Sequence, residues 1–503
     1  MAYILGFDLG TSSCKAALYD EKLELVCYTT QEYPTIIPSP GWAEQPAEQW
    51  WDAFCNNTKG CLKKAGVYPQ QVAAVGIDTM GSVALPVDKN GQALHPGLLW
   101  MDRRSMDQCR QIDEILGDML YEISGNRNDP SDTAPKLMWF MQERPEIYEK
   151  THRFLHANGY LVMKLTGAFT QDRTECGLTL LCDTRTGEWS DKLIRPLGLD
   201  REKLPAIHDC HDIVGEVTAS AAEACGLAKG TAVVAGAMDC VVSALGTGCL
   251  HEGDVYMAGG TVTALGIVGD TMQPNRALHL HNHVVPGKFV RVGAVDFGGG
   301  GLRWFRNMLG EKDYHELDRL AGLAPPGNDG LLFLPYMVGQ RSPLYNSATT
   351  GVMFGLTPDH EKKHLARMFM EGTSYAVRNV LHIFKEASNT PKEVRLTGGM
   401  SNSSVWTQTL SDITGVPIEV TGASDVATLG DAATAAVAVG WFKNYNEAFA
   451  GQRAQLSYAP ISGHKAVYDA MFDVYMNVFR QILPSYDYVK QRLQSMEIPA
   501  TEE

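Results

Sequence analysis

An α/β fold in two related halves is what this sequence of 503 residues predicts, on three observations. Apolar runs of strand length alternate with amphipathic segments through the first half. A strand, Gly-Thr turn, strand pattern at the N-terminus returns near residue 255. Glycine-rich turns follow apolar runs, and two of them open helix-like segments.

The first element is the run Tyr3–Phe7, which ends in Asp8 and a Gly10-Thr11-Ser12-Ser13 turn before a second run, Ala16–Tyr19. The pattern predicts a β-hairpin. Its turn carries hydroxyls and backbone amides that can cradle phosphate, and Asp8 beside it can hold a metal ion; an ordinary polar hairpin is the plain alternative. Val72–Ile77 reads as a buried strand, and Leu98–Trp100 ends a shorter run. Lys136–Arg144, stopped by Pro145, and Gly159–Leu165 have helical apolar spacing. Strand character returns at Ala232–Ala235, followed by Gly-Ala-Met-Asp239 and a small-residue helix from Val241 to Leu245.

Near residue 250 the pattern restarts. Asp254–Val268 carries Gly259-Gly260-Thr261 between two apolar runs, as the N-terminal hairpin does. Gly298–Gly301 precedes a helix-like Leu302–Arg306, and Gly398-Gly399 follows the strand-like Val394–Leu396 and leads through Ser403 into a helix over Trp406 and Leu410. Two such halves, 1–250 and 251–503, are expected to form related domains facing a cleft. The acidic end, Ala500–Glu503, is expected to fray.

Composition narrows the partners. Hydrophobic residues make up 45% and charged residues 20%, as in an ordinary globular protein. A net charge of -15 argues against a nucleic-acid backbone or an anionic membrane as main partner. Eleven cysteines without C-x-x-C pairs suit reduced thiols in a cytoplasmic protein. No signal peptide is expected, because a basic n-region is missing and Asp8 interrupts the first apolar stretch. Ala432–Phe442 is too short to span a bilayer.

Several residues could carry chemistry. Neither a Walker-type phosphate loop nor a G-x-G-x-x-G fingerprint after the first strand is present, so a nucleotide would be held by the hairpin turns. Asp239 ends a strand and could take a proton from a substrate hydroxyl, or could cap the following helix. Asp78, Met80, Trp100, Asp102 and Arg103 follow strands of the first half, where α/β sheets place ligands. Asp102 and Arg103 could bind a polyol or form a solvated salt bridge. His279, His281 and His283 alternate, without a nearby carboxylate or Cys at ligand spacing, which favours an edge strand over a metal site.

Together these segments resemble the FGGY carbohydrate kinases, of the actin-like ATPase superfamily, and most closely their xylulokinase branch. The resemblance runs from Gly6 to about Trp441. It is carried best by Ser131-Asp-Thr-Ala-Pro-Lys136-Leu-Met-Trp139, by Gly330–Pro335 and Gly339-Gln-Arg341-Ser-Pro343, and by Gly351–Thr357, His364–Arg367 and Glu371-Gly372. It implies two ribonuclease H-like domains around a central cleft. The first would hold the sugar side and the first phosphate loop, the second the second phosphate loop and the adenosine side. It implies ATP-dependent phosphorylation of a primary hydroxyl of a small sugar, a ketopentose such as xylulose, with Mg²⁺. Asp8 would be the metal-linked acid, and Thr11, Ser12, Ser13 and Lys15 the first phosphate loop. Asp239 would be the catalytic base, and Gly260 and Thr261 the second phosphate loop. Gly299, Arg303, Gly398, Gly399 and Ser403 would meet adenosine, and Asp78, Met80, Trp100, Asp102, Arg103 and Ser131 the sugar. A homodimer is a family expectation.

Three departures stand out. Asp78-Thr79-Met80-Gly81 lacks the Gly-Gln pair and the His of the xylulokinase pattern, Gln340 stands where Glu is usual, and Met368 where Ala or Ser is usual. Ribulose, a tetritol, glycerol or a deoxysugar are alternative substrates, glycerol being disfavoured because the Arg-Glu pair of glycerol kinases is absent around Met80. A nucleotide-switched binding protein of the same superfamily is the alternative from another class.

Overall fold

The computed structural model describes residues 1–494 except 312, 388–390, 424 and 453, so the acidic tail lies outside the described residues. The chain divides into two compact units that are interleaved along the sequence rather than separated by one cut. The first comprises Met1–His251, Val268–Arg291 and Ala423–Gln452; the second comprises Glu252–Ile267, Val292–Gly422 and Arg453–Glu503.

The hairpin expected at the N-terminus forms from strands Tyr3–Leu9 and Ser13–Tyr19, which pair antiparallel with Asp8 opposite Lys15. Tyr3–Leu9 also pairs in parallel with Val72–Thr79, placing Asp8 opposite Asp78. Ala232–Val234 adds a further parallel strand, and Leu25–Glu32 and Ile213–Glu216 close the two sides antiparallel. Side chains alternate across a strand, and the two faces differ in kind. Phe7, Leu9, Val75 and Ile77 join Trp50 and Phe54 of helix Ala47–Ala65 in an apolar core. The opposite face carries Gly6 and Gly76, each two residues before an acid.

Helix Val426–Ala438 packs on that opposite face, backbone against backbone. A Cβ built on Gly6 would lie 2.2 Å from the Thr428 carbonyl oxygen, and one on Gly76 would lie 2.2 Å from that of Asp431. Gly246, closing helix Asp239–Gly246, would meet the Val426 carbonyl at 1.7 Å, and Gly430 would meet that of Val242 at 2.4 Å. This helix therefore belongs with the first unit although it lies far beyond residue 250 in sequence.

In the second unit Val255–Gly259 pairs antiparallel with Thr263–Gly269 and parallel with Val394–Thr397. That strand pairs in parallel with Ile418–Thr421, which pairs antiparallel with Ala454–Tyr458. The first unit has the same succession of hairpin, two parallel pairs and an antiparallel pair, so the repeat read from the Gly-Thr turns is also a repeat of topology. His279–Asn282 forms an edge strand, as expected, with His281 and His283 buried and held neutral, their pKa values pushed down to about 3 chiefly by burial. Among the described residues no helix is long and apolar enough to cross a membrane.

Candidate active site

In the first unit the carboxyl ends of Tyr3–Leu9, Val72–Thr79 and Ala237–Met238 lie side by side, with Ala237 opposite Asp78. Ligands of α/β sheets sit at such ends. The Gly10–Ser13 turn is braced from behind. The Gly10 amide donates to the Ser13 carbonyl at 3.0 Å, the Tyr33 amide to that of Ser12 at 3.0 Å, and Gln45 Nε2 to that of Thr11 at 2.8 Å. The Tyr33 hydroxyl donates to the Gly10 carbonyl. Among the described residues the amides of Thr11 and Ser12 meet no acceptor, so the turn presents free donors of the kind an anion takes. Trp100 Nε1 donates to Thr11 Oγ1 at 2.9 Å, which joins an expected sugar contact to the turn.

Behind the turn lies an acidic cluster. Lys15 bonds Asp8 at 3.0 Å and Asp425, the N-cap of helix Val426–Ala438, at 2.7 Å. The Lys15 ammonium is thus committed to two carboxylates and does not extend into the turn. Asp8 is raised above its ordinary value, mostly by burial, against the pull of Lys15. Asp78 is fully buried, and neither of its oxygens has a donor. Burial and the facing charges of Asp431 and Asp8 push it well above the usual carboxylate range. Asp78 and Asp431 face each other as two acceptors, an arrangement satisfied when one proton is shared. Asp78 therefore looks inward to Asp431 and does not reach solvent, and Met80 is likewise buried in the core.

The sign of this effect gives a test. A carboxyl whose folded pKa is raised adds stability that is complete at low pH and is lost as pH rises through the folded value. Asp78→Asn is expected to flatten the decline in thermal midpoint on the alkaline side of the ordinary carboxylate range, measured without nucleotide or divalent cation. An unchanged slope would show that the pair holds no shared proton.

Asp239 is half-buried and opens helix Asp239–Gly246 without capping it, since the N-cap position is Met238. Its Oδ1 accepts the Cys240 amide at 2.6 Å. Burial, with a smaller contribution from the Asp8 charge, raises its pKa to about 7. That value suits a group that takes a proton at neutral pH.

The expected sugar contacts separate into two kinds. Asp102 is fully buried, accepting from the Ala43 amide at 2.6 Å and from Nε and Nη2 of Arg104, whose guanidinium stacks 3.8 Å from the Trp42 ring. Its oxygens are engaged in supporting structure. Arg103 is partly exposed and donates to Asp129, which also accepts the Ser131 hydroxyl at 2.6 Å. Arg103, Asp129 and Ser131 thus form a polar row that a hydroxylated ligand could meet. Lys136 fixes the loop from inside, donating to the carbonyls of Ser82 and Ser131, and burial lowers its pKa to about 7.

The second unit brings its glycine turns together. The amides of Gly298, Gly299 and Gly300 donate to the carbonyls of Thr261, Gly260 and Thr261 at 3.1, 2.8 and 3.1 Å. The N-terminus of helix Gly299–Met308 is therefore occupied by these carbonyls and is not open to an anion. Gly398 takes φ 84° and passes 3.0 Å from the Gly259 carbonyl, measured from a built Cβ, so its glycine is required by the backbone. Gly260 and Gly399 differ, because a Cβ there would meet nothing nearer than 3.5 and 3.9 Å. Chain packing does not demand glycine at either, whereas close approach of a ligand to bare backbone would. Ser403 caps helix Ser404–Thr414 by accepting the Trp406 amide at 3.0 Å, and its hydroxyl donates to Asp318 at 2.7 Å. Arg303 is exposed on its helix. A cavity of about 350 Å³, lined by Gly322, Pro326, Ser404, Val405 and Gln408, adjoins the first turn of helix Ser404–Thr414. The Gln340 departure has a local reason: its amide donates to the Ala294 carbonyl at 2.6 Å and to that of Ser342, which a carboxylate could not do.

Asp129, Asp425 and Asp431 were not singled out from sequence. Asp431 was visible as the lone acid in the small apolar run Ala427–Ala438; Asp129 had only an Asn-Asp-Pro turn to mark it.

The chain is similar to known proteins along most of its length. Residues 3–246 match the N-terminal domain of the FGGY family of carbohydrate kinases, and residues 255–439 match its C-terminal domain. A xylulose kinase of Escherichia coli is 30% identical over 95% of this chain and 99% of its own length. A gluconokinase of Bacillus subtilis is 27% identical over 97% of this chain and 98% of its own. A crystal structure of a xylulose kinase from Rhodospirillum rubrum superposes with a TM-score of 0.89 at 25% identity, covering 96% of this chain and 100% of that one.

Proposed function

Because this chain belongs to the FGGY family of carbohydrate kinases, we propose that it phosphorylates a primary hydroxyl of xylulose or a closely related ketose, with ATP as donor and Asp239 as base. The observation that carries the reading is Asp239 itself, a half-buried carboxyl with its pKa raised to about 7 at the carboxyl edge of the sheet. When bound, ATP supplies the phosphoryl group and Mg²⁺ screens its charge.

The residues support each part of this. Asp239 accepts the hydroxyl proton and leaves the sugar oxygen nucleophilic. The amides of Thr11 and Ser12 bind phosphate oxygens, and the turn at Gly260 and Thr261 is the second unit's own candidate for that role. Gly399 lets the nucleotide lie against bare backbone, beside the turn that Gly398 shapes. Among the described residues no three His, Cys, Asp or Glu side chains converge on a complete metal cage. Mg²⁺ needs only one or two carboxylates besides phosphate and water, and Asp8, in a cluster with more acids than cations, fits that part. Eleven cysteines without C-x-x-C pairs suit a reducing cytoplasm, where we place the enzyme.

On the sugar side, Arg103, Asp129 and Ser131 are the contacts we assign. Arg103 holds Asp129 below its ordinary pKa, so the pair presents no net positive charge. This favours a neutral ketose over gluconate, whose carboxylate would want an unpaired guanidinium.

The test is sugar-stimulated ADP release over a panel of xylulose, ribulose, deoxyketoses, tetritols, glycerol and gluconate. A ketose is expected to give the highest kcat/KM. Arg103→Ala is expected to raise the KM for that sugar about tenfold or more, the loss of one hydrogen bond to a charged group, with the KM for ATP unchanged. Stimulation by none of the panel would favour the nucleotide-switched binding protein instead.

A further inference from the structure

The turn Asp172–Glu175 plays no part in the proposed chemistry, yet it holds the strand that delivers Asp239. Ala237–Met238 pairs with Val72–Thr79 on one side only. On the other side the Met238 amide donates to Thr174 Oγ1 at 2.8 Å, across 64 residues of sequence. A hydroxyl here stands in for the missing neighbouring strand. Thr174 Oγ1 in turn donates to Asp172 Oδ1 at 2.5 Å.

Asp172 is itself tightly set. It is 1% exposed and accepts from Asn158 Nδ2 and the Glu175 amide, both at 3.2 Å. The same Asn158 amide group donates to the Ala235 carbonyl at 2.7 Å, so strand and turn share a second tie. Glu175 lies against His156, whose Nε2 meets Thr133 Oγ1 at 2.8 Å, two residues beyond Ser131. One turn thus supports both the base and the loop of the sugar contacts.

Among the described residues the only hydrogen bond to the Asp239 side chain comes from its own neighbour, the Cys240 amide. Its carboxylate is therefore aimed by its backbone, and that backbone is fixed one residue earlier. We propose that Thr174, oriented by Asp172, is a positioning residue for Asp239: it accepts the Met238 N–H and so sets the direction of the carboxylate that takes the substrate proton. The proposal rests on Asp239 being the base. A purely structural role for Asp172, as cap of the short 173–175 turn, would stabilise the fold without governing the base.

The test compares Thr174→Val, which keeps the shape and removes both bonds, with Thr174→Ser, which keeps both. The full chain is assayed for kcat, for both KM values, for the pH profile between about pH 5.5 and 9, and for thermal midpoint. Misplacing a reacting group by about 1 Å costs on the order of a hundredfold. Thr174→Val is accordingly expected to lower kcat about 10–100-fold, to leave the KM for ATP within about twofold, and to displace the acid limb of the profile. Thr174→Ser restores most of the loss. Near-normal kcat with an unmoved acid limb in Thr174→Val would overturn the proposal, as would equal losses in Val and Ser variants. If Thr174→Val does not fold, Thr174→Ala takes its place with the same expectations. If neither folds, the bond serves folding and the proposal falls. Asp239→Asn in the same assays keeps the two readings apart: normal turnover there overturns the base assignment, whereas its loss beside a normal Thr174→Val overturns only the positioning role.

Discussion

Asp239→Asn is expected to lower kcat for sugar phosphorylation by about 10²–10⁴-fold, the usual contribution of a general base, while ATP binding persists. Asparagine keeps the shape and can still accept the Cys240 amide, so the helix start at Asp239 should survive. What disappears is the capacity to take a proton. The pH dependence gives the expectation a second handle. Burial raises the Asp239 pKa to about 7, so the protein below that pH carries a protonated, inactive carboxyl. With the native residue kcat/KM should fall about tenfold per unit below pH 7. In the Asn variant that limb should vanish along with most of the rate. Near-normal turnover in Asp239→Asn, or an unchanged acid limb, would sink the assignment. Steady-state kinetics with the preferred sugar, beside a nucleotide-binding titration, settles both points.

Gly76→Ala is expected to cost about 3 kcal/mol or more of stability, at the top of the range for overpacking. The added carbon would lie 2.2 Å from the Asp431 carbonyl oxygen and 2.7 Å from its carbon. Both are backbone atoms, so no rotamer change relieves the clash; helix Val426–Ala438 must lift from the sheet. Lifting it would also pull Asp431 from Asp78. The result should be visible as a lower midpoint in chemical denaturation with a folded baseline of reduced activity. A change within about 0.5 kcal/mol, the scale of ordinary surface substitutions, would mean that helix and sheet are not in the backbone contact described.

Much of this architecture was legible in the sequence, because its signals are local. The Gly-Thr turns between apolar runs marked both hairpins, and the strands before Asp239 and Gly398 were marked by composition. The site was only partly legible, for reasons that lie in tertiary contact. Asp78 follows a buried strand, which looks the same in sequence whether the side chain meets a ligand or a helix. The clue lay two residues earlier: Gly6 and Gly76 each precede an acid on the same strand face, and a glycine there permits a helix to approach by its backbone. For Asp102 the sequence leaves a polyol contact and a salt bridge equally open, and Arg104, two residues on, takes its oxygens. Thr174 carried no signal at all, since its partner Met238 is distant in sequence. The amides of Gly298–Gly300, at the start of a helix, are closed by carbonyls of Gly260 and Thr261, a turn that local sequence does not bring beside them.

The return of helix Val426–Ala438 to the first unit also bears on how the protein is made. A growing chain emerging from the ribosome would have the sheet of Tyr3–Leu9 and Val72–Thr79 ready early, with one face covered by Trp50 and Phe54. The other face, with Gly6, Asp8, Gly76 and Asp78, must wait for a helix synthesised almost last. Throughout that interval the nascent unit exposes a flat surface of bare backbone and crowded acids. Asp8 and Asp78, opposite one another on adjacent strands, stay open to water on that face until the helix arrives, and in water such carboxylates are ionised at neutral pH. The burial that raises the pKa values of Asp8 and Asp78 in the finished fold is thus completed only once this late-made helix is in place.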